Sequence, residues 1–117
     1  MSSNEFIKGT LKTIILKLLA QNKKMYGYEI TQRVAQLSKD EIKLTYGALY
    51  PTLYKLEDEG LLITTTEIVD NRARKYYSLT AEGKKLAKVK VSELQRFNEI
   101  LRAILKDNPK PNLSLNS

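Results

Sequence analysis

TYGALYPTLYKLEDEG, residues 45–60, runs without a gap into LLITTTEIVDNRARKYYSLTAEG, residues 61–83. The first piece has helical spacing: Leu49, Leu53 and Leu56 fall within about 60° of one another on a helical wheel. Thr45 is suited to N-cap this helix, because its hydroxyl can accept from the free N–H groups of the first turn. Pro51 removes a donor near the helix start, where the cost is small. Gly60 then stops the helix. Leu61 to Val69 is rich in threonine and β-branched residues and predicts a strand. Asp70-Asn71 can turn, and Arg74 to Leu79 can return as the second strand of a hairpin. Alternation puts Lys75, Tyr77 and Leu79 on one face and Arg74, Tyr76 and Ser78 on the other. Thr80 is positioned to cap the next helix.

Outward from this segment the chain is helical. Apolar residues recur from Phe6 to Ala20 at helical spacing but on more than one face, which predicts a first helix with two packing partners, one in its own domain and the other a second subunit or the C-terminal helix. After the polar run Gln21 to Lys24, Tyr28 to Leu37 forms a short second helix with Ile30, Val34 and Leu37 in register. Ser38 to Lys43 is a turn, with Ile42 and Leu44 tucking inward. From Thr80 a long helix can run to about Lys106, with Leu94, Phe97, Leu101 and Ile104 in 3-4-3 spacing, widened by Ile100 and Leu105. Three helices, a hairpin and a long final helix make a mainly α fold with a small β-hairpin wing, a winged helix-turn-helix. The predicted organisation is a DNA-binding domain over residues 5–79, a C-terminal dimerisation helix over 80–107 and a disordered tail over 108–117.

Composition narrows the chemistry. The 117 residues fit one domain, and 20 Lys and Arg against 13 Asp and Glu give a net charge of +7. That excess suits a polyanion, and equally a solubilising surface, so the motifs must decide. There is no cysteine and no histidine. Disulfides, thiolate nucleophiles, Cys-type zinc sites and the commonest general base are therefore excluded, and no enzyme, cofactor or metal site is expected. Leu11 to Ala20 is too short and too interrupted by Lys12, Thr13 and Lys17 to span a bilayer, so a cytoplasmic protein with no membrane partner is expected.

The face of the third helix opposite its leucines is small and aromatic: Gly47, Ala48, Pro51, Tyr54 and Lys55, flanked by Tyr50. Small residues allow close approach to a groove, and tyrosine hydroxyls can bond phosphate oxygens. The alternative is that these tyrosines pack on a neighbouring element. Following them, the hairpin turn supplies Arg72, Arg74 and Lys75, cations suited to phosphates or a minor groove, although charged turns are common. Lys84, Lys85, Lys88 and Lys90 fit a solvated helix face better than DNA, and Glu57, Asp58 and Glu59 have no partner base or ligand nearby. A final helix of some 25 residues, roughly 38 Å at 1.5 Å per residue, overhangs so small a domain and calls for a second copy.

Five ordered blocks carry a family resemblance: Lys8-Gly9-Thr10-Leu11, Gly27-Tyr28-Glu29-Ile30, Gly47 to Leu53, Leu56 to Leu61, and Arg74 to Gly83. From about Glu5 to Lys106 the chain resembles the PadR family of bacterial transcription regulators, in its shorter branch with a single C-terminal helix. The resemblance implies a winged helix-turn-helix homodimer that represses promoters, each C-terminal helix lying against the partner's first helix. It implies that Tyr28 and Tyr50 lie near the DNA backbone, that Gly47 and Ala48 start the recognition helix, and that Tyr77 is the wing-strand tyrosine. Drug-responsive members bind flat aromatic molecules between subunits.

This chain departs from the family in carrying Tyr26 where a histidine is frequent, Thr45-Tyr46 where Ser/Thr-Pro is common, and no tryptophan. The expected DNA contacts are therefore Tyr28, Thr45, Tyr46, Gly47, Ala48, Tyr50, Tyr54, Lys55, Arg72, Arg74, Lys75 and Tyr77. The expected dimer interface is Leu11, Ile15, Leu94, Phe97, Ile100, Leu101 and Ile104. A small aromatic effector, if there is one, would meet Phe97 and Leu101; filling of the dimer core is the competing role for Phe97. The functional expectation is a sequence-specific regulator of double-stranded DNA, with a winged-helix protein-interaction module as the alternative.

Overall fold

The computed structural model describes residues 4–107, so the expected tail over 108–117 lies outside the described residues. In chain order the elements are α1 (Asn4–Lys8), α2 (Leu11–Gln21), β1 (Met25–Tyr26), α3 (Gly27–Leu37), α4 (Tyr46–Asp58), β2 (Leu62–Val69), β3 (Arg72–Leu79) and α5 (Ala81–Leu105). The architecture is mainly helical with one small antiparallel sheet of order β1-β3-β2.

The predicted single helix from Phe6 to Ala20 is two. Its ladder breaks at Gly9-Thr10, where Thr10 N donates to Ile7 O at 2.9 Å and the Thr10 hydroxyl donates to Phe6 O at 3.2 Å. Glycine holds a helix weakly, and a threonine hydroxyl competes for its carbonyls, so this pair is a natural break. α2 does have two packing faces, one meeting the C-terminal helix α5 and the other α4 and β3, with Ile14 left at the edge of a groove between α2, α3 and α5. Leu11 and Ile15, expected at a dimer interface, are core residues, Ile15 with 0% exposure. They cannot present a surface to another subunit without the domain opening.

The strand β1 was not expected. It is two residues long, with Met25 opposite Tyr77 and Tyr26 opposite Tyr76, and too short for alternation to be visible in the sequence. The hairpin register runs from Leu62 opposite Leu79 to Val69 opposite Arg72. Asp70 and Asn71 both take positive φ, 50° and 63°. That geometry matches the twist of a two-residue hairpin turn, and Asp and Asn tolerate it better than most residues.

One core joins these pieces: Ile15, Leu16, Leu18 and Leu19 of α2, Ile30 and Val34 of α3, Leu49, Leu53 and Leu56 of α4, and Leu62, Tyr77 and Leu79 of the sheet. The end of α4 and the start of α5 meet in a tight junction. Gly60 takes φ +77°, a conformation that costs glycine little. The Thr80 hydroxyl donates to Gly60 O at 2.8 Å and accepts from Gly83 N at 3.0 Å, while Thr80 N donates to Leu61 O at 3.0 Å. Any Cβ on Gly83 would run into the Leu61 carbonyl.

From this junction α5 leaves the domain. Gly83 and Ala87 are buried against the core, but Phe97 is 54% and Ile104 70% exposed. The molecule measures 71 × 30 × 20 Å with a radius of gyration of 18.3 Å, against about 13 Å for a compact domain near 100 residues.

Candidate nucleic-acid interface

α4 presents two different faces because its sequence does. Leu49, Leu53 and Leu56 are buried, while Tyr46, Gly47, Ala48, Pro51, Tyr54 and Lys55 are exposed. Thr45 caps the helix as the sequence predicts, its hydroxyl accepting from Ala48 N at 3.2 Å. Around Gly47 there is open space, a Cβ there meeting only the Thr45 hydroxyl oxygen at 3.9 Å. Along one edge run three tyrosines one turn apart, with ring centroids 5.6 Å apart for Tyr46 and Tyr50 and 5.8 Å for Tyr50 and Tyr54.

The middle ring of that ladder ties two helices together. Tyr50 is half-buried and its hydroxyl lies against Gly27 at the start of α3, where a Cβ would have to displace the Tyr50 ring. Its pKa is raised, first by burial and then by Tyr46 and Tyr54. Tyr28 is exposed on the first turn of α3 and its ring stacks with that of Tyr26, centroids 6.4 Å apart. The α3 start and the exposed face of α4 therefore form one continuous surface.

The wing adds cations in two different states. Lys75 shares a sheet face with Tyr77; its ammonium lies 5.4 Å from both the Tyr54 and Tyr77 rings and 3.8 Å from Glu57. Its charge is already partly neutralised. Arg72 is exposed at the strand start beside the turn, and Arg74, on the hairpin face opposite Lys75, lies 4.6 Å over the Tyr26 ring. Its pKa is raised, with Tyr76 as the main cause. Neither arginine has a carboxylate within ion-pair distance among the described residues.

Tyr77 does not belong to this surface. It is fully buried and its hydroxyl has no hydrogen-bond partner among the described residues. Alternation put it on the correct sheet face, but that face packs on the helices, so the expected DNA contact is a core residue. Sequence reasoning also passed over Tyr26, Tyr76 and Lys24. Tyr26 meets Tyr76 edge-on at 5.4 Å, and Lys24 sits 4.8 Å over Tyr76 while pairing with Glu67. The available signal was the cation-tyrosine alternation of Arg74-Lys75-Tyr76-Tyr77, but the partner strand β1 that completes the cluster left no trace.

No metal-binding group of carboxylates is found among the described residues, and no described helix is long and apolar enough to cross a membrane. What the surface offers is a helix edge, hydroxyls and guanidinium groups with no carboxylate within ion-pair distance among the described residues. Known proteins share this fold. The model of the transcriptional regulator PadR-like family matches residues 15–89. A transcriptional regulator of Mycobacterium tuberculosis is 38% identical over 80 residues, covering 68% of this chain and 71% of that protein. A transcriptional regulator from Clostridium thermocellum superposes with a TM-score of 0.78 at 28% identity, over 87% of this chain and 99% of that one. A PadR family transcriptional regulator from Eggerthella lenta does so with 0.73 at 27% identity, over 89% and 88%. With its winged helix-turn-helix, its long final helix and a family match over most of its length, the chain belongs to the PadR-like family of transcriptional regulators.

Proposed function

We propose that this regulator is a homodimeric repressor that binds a pseudo-palindromic operator in double-stranded DNA. The observation that carries this reading is the exposed edge of α4, where Tyr46, Gly47, Ala48, Tyr54 and Lys55 stand over a buried leucine stripe beside wing arginines that have no carboxylate within ion-pair distance among the described residues. Such an edge can enter a major groove while the α3 start and the wing hold the flanking phosphates. In this reading residues 5–79 are the DNA-binding unit and 80–107 the dimerisation helix. A role in transcription goes with a cytoplasmic location and with no enzymatic chemistry.

The dimer is supported by the outer half of α5, whose Phe97, Ile100, Leu101, Ile104 and Leu105 are exposed. A fully buried side chain of this kind is worth about 1.5–3 kcal/mol, which a second copy would supply. Its complement is an apolar groove of about 350 Å³ between α2, α3 and α5, lined by Ile14, Leu18, Val34, Leu37, Ile42 and Leu94. Ile14 and Leu37, which are not part of the buried core, thus take the place of Leu11 and Ile15 on the N-terminal side of the interface. An aromatic effector, if the regulator responds to one, would bind against Phe97 and Leu101 where the two α5 helices meet. Two-fold symmetry then sets two α4 helices about one DNA turn, or a multiple of it, apart.

Protection mapping on the DNA upstream of the chain's own gene tests the reading. Two protected half-sites related by a dyad are expected; binding with no preference over bulk DNA would favour a protein-docking module instead.

A further inference from the structure

The two-residue strand β1 shapes the outer face of the wing. Pairing of Tyr26 with Tyr76 places the Tyr26 ring on the hairpin face that carries Arg74, two residues before Tyr76. Glu29 fixes the Tyr26 backbone by accepting from its N–H at 3.1 Å. The Arg74 guanidinium then lies 4.6 Å over the Tyr26 ring, and the two tyrosine rings meet edge-on at 5.4 Å. Lys24, the other cation of this cluster, is paired with Glu67. Arg74, with Glu67 opposite it in the hairpin register, has no carboxylate within ion-pair distance among the described residues. Its guanidinium lies over the Tyr26 face with the Tyr76 side chain as its hydrogen-bonding neighbour, which leaves its remaining N–H donors for an anion.

This cluster is continuous with the surface described above. Tyr26 stacks on Tyr28, Gly27 follows Tyr26 directly, and Gly27 lies beneath the Tyr50 hydroxyl of α4. A phosphate chain crossing the start of α3 therefore reaches Arg74 next. Resting on the DNA-binding reading, we propose that the outer face of the wing is a second backbone contact, in which Tyr26 and Tyr76 hold the Arg74 guanidinium for a DNA phosphate. Arg74 is the contact, and Tyr26 is a positioning residue that acts through it.

A double-mutant cycle on operator DNA separates this from a merely structural tyrosine. Arg74→Ala weakens binding and flattens the slope of log affinity against log salt by about 0.9 per half-site. Tyr26→Leu weakens binding about threefold per half-site, the scale of an exposed cation-aromatic contact, and Tyr26→Phe keeps wild-type affinity. In the Arg74→Ala background, Tyr26→Leu has no further effect. Additive losses, or a Tyr26→Leu protein that binds like wild type, would overturn the proposal. Should Tyr26→Leu not fold, the Arg74 side-chain Nε–H resonance of the wild-type protein decides between the two outcomes: shifted upfield by the ring current if the clamp holds, at the random-coil position if it does not. Failure of the wild-type chain to prefer its operator would instead remove the repressor reading, an outcome distinct from failure of the clamp.

Discussion

Tyr50 and Tyr77 are both partly or wholly withdrawn from solvent, but only Tyr50 borders the α4 surface. The Tyr77 hydroxyl is buried without a hydrogen-bond partner among the described residues, and its pKa is pushed up to about 12, mainly by burial and then by Tyr54, Tyr50 and Glu57. The folded chain therefore holds this proton more tightly than the unfolded chain, whose tyrosine titrates near 10. The associated stability is present below pH 10 and is lost as pH rises from 10 through about 12. Tyr77→Phe deletes the unsatisfied hydroxyl and keeps the ring. Urea unfolding at pH 7 should show it unchanged or up to about 1 kcal/mol more stable, with a shallower loss of stability above pH 10 and unaltered operator affinity. A clear destabilisation at pH 7 would mean that the hydroxyl has a partner after all. The pattern of residues 74–79 identified which side chains share a face, but not which face the helices cover. That choice depends on packing across the whole domain.

Among the elements, α4 was the most legible because both its ends carry local chemistry: the Thr45 cap, and the positive φ that Gly60 supplies. The hairpin was legible for the same reason, with Asp70-Asn71 as its turn. The α1–α2 break and strand β1 were not, the first because a break of one residue pair disturbs apolar spacing little, the second because two residues show no period. The surface on α4 makes a sharp prediction. Gly47→Glu meets open space and sits in the first helical turn, where glutamate is a better helix former than glycine and favours the dipole. Thermal unfolding should be no lower than wild type. Operator binding in a gel shift should nevertheless fall by several kcal/mol, since a carboxylate would face phosphates at the closest approach; normal binding would show that α4 is not the reader. For the wing, Arg72→Ala should weaken binding to all sequences alike and flatten the salt slope by about 1.8 in a dimer, two phosphate contacts at about 0.9 each. An unchanged slope in a salt titration would take the hairpin tip out of the interface.

For the molecule as a whole, the decisive fact is that α5 is long and its outer half has no cover among the described residues. Leu101 is exposed in the single chain, so Leu101→Glu should leave the domain folded, with its far-ultraviolet circular dichroism largely intact. At the proposed seam the same substitution would bury a charge at a cost of several kcal/mol. Sedimentation at micromolar concentration should show a wild-type dimer and a monomeric variant; a monomeric wild type would refute the dimer. The junction of Gly60, Leu61, Thr80 and Gly83 bears on how such a dimer could be switched. It ties the end of α4 to the root of α5 through three hydrogen bonds, so in the proposed dimer the two would be expected to move together as one arm. A tilt of about 5° between the two arms at the seam displaces the other end of a helix of about 38 Å by roughly 3 Å. A displacement near the rise of one base pair is enough to throw two half-sites out of phase, so a regulator built this way can release DNA through a small change in splay while every contact inside each half stays intact.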